Sequence, residues 1–256
     1  MTVQELYNMI DRFAPFSLQM EGDNSGLLVG SSSQEVTGIL FALDVTEQVI
    51  CEAVRLGVQL IITHHPLMFN PLHTLTESDY EGRLIRRLTR ENISLIAAHT
   101  NLDQAPGGIN DTLAALCGLV EISGEGFFRS GFLPEPMTVR DFADLLETNL
   151  ETTVRIMAPE DRIIRRVGLC SGSGGDEWIQ ARESGCDAFI SGEIKHHFAL
   201  AMADAGIAAL ECGHFATEEP GLAALAEALQ NSLNHVECNV RVFVSAVSAY
   251  SFPRTP

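Results

Sequence analysis

Apolar residues along the chain follow two patterns, short uninterrupted runs and stripes with helical spacing. Runs of this kind are typical of buried strands, and four are predicted in the first part of the chain: residues 27–30, 38–43, 58–63 and 93–98. Helical spacing predicts three amphipathic helices in the same part: residues 2–13, 46–56 and 80–90. Thr46 is the expected N-cap of the second helix and Gly57 its end. Strands that alternate with helices predict a parallel sheet covered by helices.

The same alternation returns later in the chain. Apolar runs predict further strands at residues 154–157, 167–171, 208–212 and 236–245, and helical spacing predicts helices at residues 109–117, 139–150, 195–205 and 222–233. A shift of 128 positions aligns Gly57 with Gly185 and Thr63 with Ser191, which predicts a further helix, a glycine and a strand that ends at Ser191. One interpretation is a degenerate internal duplication. The other is that a glycine between a helix and a strand is common in any α/β protein.

The region between these two series is the predicted boundary. Residues 121–138 contain glycine and proline and show little periodicity. We therefore expect a first α/β half at residues 1–120, a short connecting segment at residues 121–160 and a second α/β half at residues 161–256. The predicted fold class is α/β, with two similar halves whose mixed, mostly parallel sheets are covered by helices.

Composition and charge argue against several classes of partner and location. Apolar residues make up 46% of the 256 residues, which is ample for a core, and the formal net charge is −18. That charge argues against nucleic acid or an anionic membrane as the main partner, since either requires a basic surface. No apolar run reaches the length of a membrane span, and the first residues do not resemble a secretory signal, so we expect a cytoplasmic protein. Six cysteines without a Cys-x-x-Cys pair predict reduced, mostly buried thiols rather than a thiolate zinc site.

Side chains that can bind metals follow four of the predicted strands: His64 and His65, His99 with Asp103, Glu193, and His214 with Glu218. Ligands of an open α/β sheet collect beyond the carboxyl ends of its strands. Neighbouring side chains on extended backbone point to opposite sides, so two adjacent histidines suit two ions better than one. Imidazole with carboxylate favours iron, zinc, manganese, cobalt or nickel over calcium.

Structural interpretations remain open for several of these residues. One histidine of the adjacent pair could pack or cap while the other is solvated. Glu218 and Glu219 precede Pro220 in a segment that also resembles a helix start, where the helix dipole favours carboxylates. The glycine-rich residues 171–175 could hold a phosphate at a helix N-terminus, but an ordinary turn explains them as well.

An ordered set of motifs resembles the YbgI-like dinuclear metal-centre family, whose members are labelled GTP cyclohydrolase I type 2 homologues or NGG-interacting-factor-like proteins. The motifs span nearly the whole chain: Asp23-Asn24-x-Gly26-Leu27-x-x-Gly30, Thr63-His64-His65-Pro66, His99-Thr100-Asn101-Leu102-Asp103, Ser191-Gly192-Glu193 and Gly213-His214-x-x-Thr217-Glu218. By this resemblance, two divalent metal ions would be held by His64, His65, Asp103, His214 and Glu218, with Glu218 as the bridging ligand. The resemblance also implies a toroidal homohexamer, a trimer of dimers, with the metal sites facing its cavity.

The function that these residues and the resemblance predict is metal-dependent hydrolysis of a nucleotide or phosphoester. The family label implies GTP as the substrate and opening of its imidazole ring as the reaction. We expect His99, Glu193 or His197 to relay protons or to orient metal ligands, although His99 could simply pack, and His196 and His197 could be a solvated helix face. The alternative function is a metal-binding or regulatory ring without turnover. Binding of nucleic acid inside a ring is a third hypothesis, against which the negative charge counts.

Overall fold

The computed structural model describes residues 1–236 and 238–247. The chain divides into two compact units. Unit 1 contains Met1–Ala105 and the described residues from Leu222 onward, and unit 2 contains Pro106–Gly221. Each unit contains a sheet with helices packed against it. The predicted α/β class, with two sheets covered by helices, is therefore confirmed.

The elements follow each other in chain order. The helices are α1 (Val3–Phe13), α2 (Glu47–Leu56), α3 (Tyr80–Arg90), α4 (Thr100–Gln104), α5 (Ile109–Leu116), α6 (Val139–Asn149), α7 (Trp178–Glu183), α8 (His196–Asp204) and α9 (His214–His235). The strands are β1 (Gly26–Val29), β2 (Gly38–Ala42), β3 (Leu60–Thr63), β4 (Ser94–Ala97), β5 (Val120–Ser123), β6 (Arg129–Thr138), β7 (Arg155–Met157), β8 (Ile163–Cys170), β9 (Ala188–Ser191), β10 (Ala208–Glu211) and β11 (Arg241–Val244). Most of the predicted elements are present, within a few residues of their expected bounds.

Local sequence fixes the ends of the early helices. The Thr2 side chain accepts a hydrogen bond from the backbone N–H of Glu5, and the Glu5 carboxylate accepts one from the backbone N–H of Thr2, which is a capping box at the start of α1. Thr46 caps α2 as predicted. Gly57 ends α2 with a left-handed φ of +65°, a conformation that glycine adopts without steric cost.

The sheet of unit 1 has the strand order β1-β4-β3-β2-β11. The last four strands of that order are mutually parallel, and β1 pairs antiparallel with β4. Ala42, Thr63 and Ala97 lie side by side at the carboxyl ends of β2, β3 and β4. The residues that follow these three strands therefore emerge at one edge of the sheet.

The sheet of unit 2 has the strand order β5-β6-β8-β9-β10-β7. Its centre is a parallel trio, β8, β9 and β10, and the other pairings are antiparallel. Cys170, Ser191 and Glu211 lie side by side at the carboxyl ends of the trio. This arrangement repeats the one in unit 1.

The parallel trios of the two units share their local sequence features. Strand β9 begins and ends 128 positions after β3. Gly185 precedes β9 with φ +69°, as Gly57 precedes β3 with φ +65°. In both units the middle strand follows the first strand through a helix and leads to the third strand through another helix. An internal duplication and the common occurrence of glycine between a helix and a strand both predict this agreement, so the duplication stays a prediction.

The structure gives a different account of the predicted connecting segment. Residues 121–160 contain most of β5 together with β6, α6 and β7, and Phe142 and Leu146 of α6 are buried in the core of unit 2. The sequence pattern predicted α6 and β7 but missed β5 and β6, because every residue of β5 is exposed and because Pro134 and Pro136 interrupt β6. The compact units divide after Ala105 and Gly221 rather than at residues 120 and 160. Residues 237 and 248–256 of the predicted second half lie outside the described residues.

The structure also bears on two further expectations, that the cysteines are mostly buried thiols and that no segment spans a membrane. Four cysteines are buried thiols outside any disulfide, Cys117, Cys170, Cys186 and Cys212, whereas Cys51 is exposed. Burial raises the pKa of Cys212 to about 12 and that of Cys186 to about 11, so both remain protonated thiols at neutral pH. Within residues 1–236 and 238–247, no helix combines the length and the apolar character needed to span a membrane.

Candidate metal centre

Two adjacent histidines follow β3 at the carboxyl edge of the unit 1 sheet. Nδ1 of His64 lies 2.9 Å from the backbone oxygen of Ala98, just beyond β4. Nδ1 of His65 lies 2.8 Å from Oδ1 of Asp44, just beyond β2. The two rings are therefore attached to the neighbouring strands on opposite sides of β3. Because Nδ1 is engaged in each ring, Nε2 is the atom with which each can coordinate a metal.

The backbone that carries these histidines is fixed by the end of β3. The Thr63 hydroxyl donates to the backbone oxygen of His65 at 2.8 Å. The N–H of His65 donates to the backbone oxygen of Leu43 at 3.0 Å, which extends the pairing of β3 with β2 by two residues. The direction of both imidazoles is therefore set by the sheet rather than by a flexible loop.

A buried carboxylate faces His64. Asp103 lies on α4, which begins immediately after β4, and its Oδ1 is 3.6 Å from Nε2 of His64. Two ligand atoms that each lie about 2.1 Å from one ion are separated by roughly 3.0–3.4 Å at octahedral or tetrahedral angles. The separation of these two atoms is close to that range. Both side chains are buried, which suits a site shielded from bulk water.

His99 lies beside the adjacent pair. Its ring centroid is 5.1 Å from that of His64 and 5.7 Å from that of His65. Each of the three rings offers a ligand atom within 4.8 Å of the other two. Phe69 lies edge-on to His99 at 6.2 Å between ring centroids. Unit 1 therefore contains a cluster of imidazoles that could hold a metal ion.

Asp23 holds His99 in place. Oδ1 of Asp23 lies 2.7 Å from Nδ1 of His99, and Oδ2 accepts from the Thr100 hydroxyl and, at 3.1 Å, from the Ser25 hydroxyl. Burial raises the pKa of the Asp23 carboxyl, but the hydrogen bonds from His99 and Thr100 outweigh burial and hold that pKa well below its usual range. The ionised carboxylate therefore favours a proton on Nδ1 of His99. From the sequence, Asp23 was predicted only as a member of the first family motif.

Asn24, the next residue of that motif, fastens the segment that follows the adjacent histidines. Its Nδ2 donates to the backbone oxygen of Met68 at 2.6 Å. The segment around Phe69, which contacts His99, is thus attached to the turn that positions His99 itself.

In unit 2, the first two turns of α9 place a histidine and a carboxylate together. His214 is the first residue of the helix and Glu218 lies one turn later, with Nε2 of His214 3.1 Å from Oε2 of Glu218. The predicted helix began at residue 222 because Pro220 suggested a helix start. The helix instead continues through Pro220, which lacks the N–H that would bond to the backbone oxygen of Ala216. The earlier start is what puts His214 and Glu218 on one face.

Glu193 fixes the orientation of His214. It follows β9 after Gly192, and its Oε1 lies 2.9 Å from Nδ1 of His214. Asp44 and His65 of unit 1 have the same arrangement, in which the carboxylate contacts Nδ1 and Nε2 lies on the other side of the ring. Glu193 thus has the orienting geometry that was one of its two predicted roles.

A glycine in the segment after β8 packs directly against these donors. Gly172 has a left-handed φ of +55°, and its N–H donates to the hydroxyl of Thr217 at 3.0 Å. A Cβ atom at this position would overlap Oε1 of Glu218 and would lie 3.2 Å from Nε2 of His214. A glycine is therefore required at this position for the backbone to approach the Glu218 carboxylate. This contact accounts for the glycine without a phosphate ligand.

The structure leaves one predicted residue apart from these contacts. His197 is exposed near the start of α8, where its ring lies 4.2 Å from that of Phe198. His196 precedes it and is also exposed. Asp23 and Asp44 are the residues that sequence reasoning missed. Asp23 begins a family motif and Asp44 follows a predicted strand, but no local signal linked them to His99 and His65.

The two sheets and these clusters define an α/β protein with histidine and carboxylate groups that could bind metal ions. The family model described as Duf34/NIF3 (NGG1p interacting factor 3) matches residues 1–250. The chain therefore belongs to the Duf34/NIF3 family, and its resemblance to the YbgI-like proteins is confirmed.

Individual relatives agree with this assignment over most of their length. A Clostridium perfringens protein named GTP cyclohydrolase 1 type 2 homolog is 35% identical over 244 residues, covering 91% of this chain and 93% of the relative. A Clostridium acetobutylicum protein of the same name is 32% identical and covers 98% of each chain. A crystal structure of a Staphylococcus aureus protein has a TM-score of 0.93 at 30% identity and covers 100% of this chain and 99% of its own. A protein named ybgI, described as of unknown function, has a TM-score of 0.86 at 27% identity, with coverage of 97% and 99%.

Proposed function

We propose that this chain binds two divalent metal ions and uses them to hydrolyse a nucleotide or a phosphoester. The observation that carries the proposal is the way His64, His65 and His214 are held. Each has its Nδ1 atom on a carbonyl or a carboxylate, so each offers Nε2 as a ligand. Histidines that ligate metals almost always have their other ring nitrogen held in this way, and His99, whose Nδ1 is held by Asp23, shares the arrangement.

The proposed ligands are those of the family motifs: His64, His65, Asp103, His214 and Glu218. Glu218 is proposed to bridge the two ions on the strength of the resemblance. The donor set of imidazole nitrogen and carboxylate oxygen suits iron, zinc, manganese or nickel. The separations between Nε2 of His64 and Asp103, and between Nε2 of His214 and Glu218, support this assignment within each unit.

Two bound ions would lower the pKa of a coordinated water towards neutrality and polarise the bond under attack. The side chains contribute position and proton transfer. His99 has its Nδ1–H fixed by the ionised Asp23, so its Nε2 is the atom at which it would accept a proton. Glu193 would keep His214 in the tautomer that exposes Nε2. His197 stays a predicted proton relay at the start of α8.

Two kinds of substrate are proposed, one from the names of the relatives and one from the chemistry of the donor set. The relatives named GTP cyclohydrolase 1 type 2 homolog suggest GTP and hydrolytic opening of its imidazole ring. The donor set supports phosphoester hydrolysis equally well, since both reactions use an activated water. A small-molecule substrate also agrees with the strongly negative chain, which does not favour nucleic acid.

The test is turnover by metal-loaded protein. The untagged protein, loaded anaerobically with iron, manganese or zinc, is incubated with GTP and separately with a chromogenic phosphoester, and products are followed by liquid chromatography and absorbance. We expect turnover of at least one substrate, lost in Glu218→Gln and retained in His196→Ala, which alters an exposed histidine. Two bound ions without turnover of either substrate would favour the alternative function, a non-catalytic metal-binding or regulatory assembly.

Assembly and location are further proposals that rest on the family resemblance and on composition. We expect a homohexamer built as a trimer of dimers, and a cytoplasmic protein. Light scattering coupled to size-exclusion chromatography would test the assembly, for which the expected mass is six times the 27.8 kDa of one chain. A monomeric mass would contradict it.

A further inference from the structure

We infer that Asp44 is a positioning residue, whose carboxylate fixes the tautomer and the direction of His65 so that Nε2 is the nitrogen that a metal ion would bind. The inference deepens the proposed function and rests on it for the identity of the ligand. It concerns a residue that belongs to none of the sequence motifs described above. Its evidence comes entirely from unit 1.

The register of the sheet explains why Asp44 and His65 meet. Ala42 of β2 pairs with Thr63 of β3, and each of the two side chains lies two residues beyond its strand. The hydrogen bond from the N–H of His65 to the backbone oxygen of Leu43 keeps the two segments paired up to that point. Oδ1 of Asp44 consequently lies 2.8 Å from Nδ1 of His65 without any flexible connection between them.

The chemistry of the acceptor determines the tautomer. An ionised carboxylate can only accept hydrogen bonds, so it selects the imidazole form with a proton on Nδ1 and a lone pair on Nε2. A carboxamide can accept or donate, and its NH2 group could instead favour the form with the proton on Nε2. That form cannot coordinate a metal through Nε2. Replacing the carboxylate by an amide of the same shape therefore separates the chemical role from packing.

The two neighbouring histidines have different kinds of acceptor at Nδ1. His64 is fully buried, and its Nδ1 is held by the backbone oxygen of Ala98, which no side-chain substitution removes. About a quarter of the His65 side chain is exposed, and its Nδ1 is held by a side chain that is itself about one third exposed. The Nδ1 contact of His65 therefore depends on a side chain that can be replaced, while the Nδ1 contact of His64 does not. This contrast provides an internal reference within the same protein.

The experiment compares wild type with Asp44→Asn, Asp44→Ala and Asp44→Glu. Nitrogen-15 spectra of the histidine rings in metal-free protein, under mildly alkaline conditions, report the tautomer of His65 and of His64. Competition titration with a chelator reports the affinity for zinc and for manganese. The control is Asp144→Asn, which alters an exposed carboxylate paired with Arg140 on the surface of α6.

We expect Asp44→Asn to reduce the Nδ1–H tautomer of His65 and to weaken binding of the ion by about 10- to 100-fold. Asp44→Ala should weaken it to a similar degree, and Asp44→Glu should restore much of the loss because it keeps a carboxylate. His64 should keep its tautomer in every variant, and Asp144→Asn should match wild type.

An unchanged His65 tautomer together with unchanged metal affinity in Asp44→Asn would overturn the inference. Loss of the tautomer in both His64 and His65 would also overturn it, because a general disturbance of the sheet edge would then be the cause. If wild-type protein bound no metal, the proposed function would fail. The tautomer spectra would still show whether Asp44 controls His65, so the two failures are distinguishable.

Discussion

Replacement of Gly172 by alanine tests whether close backbone approach shapes the carboxylate of Glu218. The added Cβ would overlap Oε1 of Glu218 and would lie 3.1 Å from its Cδ and 3.2 Å from Nε2 of His214. The backbone at Gly172 is left-handed, with φ +55°, which costs a non-glycine residue about 1–2 kcal/mol by itself. Gly185 is a matched control, because its φ is +69° and nothing lies within 4 Å of its added Cβ.

The two variants should therefore share the backbone cost and differ at the metal donors. We expect Gly185→Ala to lower the free energy of unfolding by about 1–2 kcal/mol and to leave metal affinity unchanged. Gly172→Ala should in addition displace the Glu218 carboxylate. Metal sites accept ligand distances within only about 0.2 Å of their preferred values, so we expect a loss of affinity of at least about tenfold. Urea denaturation of metal-free protein measures the first quantity, and chelator competition measures the second.

The comparison has a clear contrary result. If Gly172→Ala bound metal as tightly as Gly185→Ala, the Glu218 carboxylate could move without consequence. Its proposed role as a ligand would then be wrong. If both variants lost metal equally, the effect would belong to the backbone strain and not to the contact with Glu218.

Three further predictions concern other parts of the structure. Asp23→Asn should lower the free energy of unfolding by about 2 kcal/mol at neutral pH. Because the pKa of Asp23 is depressed in the folded state, this difference from wild type should shrink as the pH falls below the unfolded pKa of about 3.9. Urea denaturation across pH measures it. Thr46→Ala should lower the free energy of unfolding by about 0.5–2 kcal/mol through loss of the α2 cap, whereas a change below about 0.2 kcal/mol would contradict that role. In native protein, Cys51 should react quickly with a thiol reagent and Cys212 only on unfolding, and mass spectrometry of the labelled peptides would reveal the opposite order if the burial were wrong.

The sequence predicted the parts of the candidate site that depend on local pattern. The apolar run that ends at His64 and His65 placed them beyond a buried strand, and the strand is present as β3. The shift of 128 positions placed Glu193 after the equivalent strand of the second series. These features are readable because strand ends follow from hydrophobic pattern, and the carboxyl ends of parallel strands meet at one edge.

Features that depend on distant pairing were not predictable from one sequence. Asp23 and His99 are 76 positions apart, and Asp44 and His65 are 21 apart, so their meeting follows only from strand order and register. The local signal at Pro220 gave a wrong prediction. Proline usually occupies the first helical turn, but here the helix starts six residues before Pro220, at His214. The orienting role of Glu193 depends on this helix start, because the start places Nδ1 of His214 within hydrogen-bond distance of the Glu193 carboxylate.

Elemental analysis of the untagged protein tests the central claim most directly. Metal content per chain is measured as purified and after anaerobic loading with iron, manganese and zinc, in wild type and in His65→Ala, Glu218→Gln and His196→Ala. We expect close to two ions per chain in wild type and in His196→Ala, and a clear loss in the other two variants. A content near zero under every loading condition would mean that the histidines are structural and would contradict the proposed metal centre.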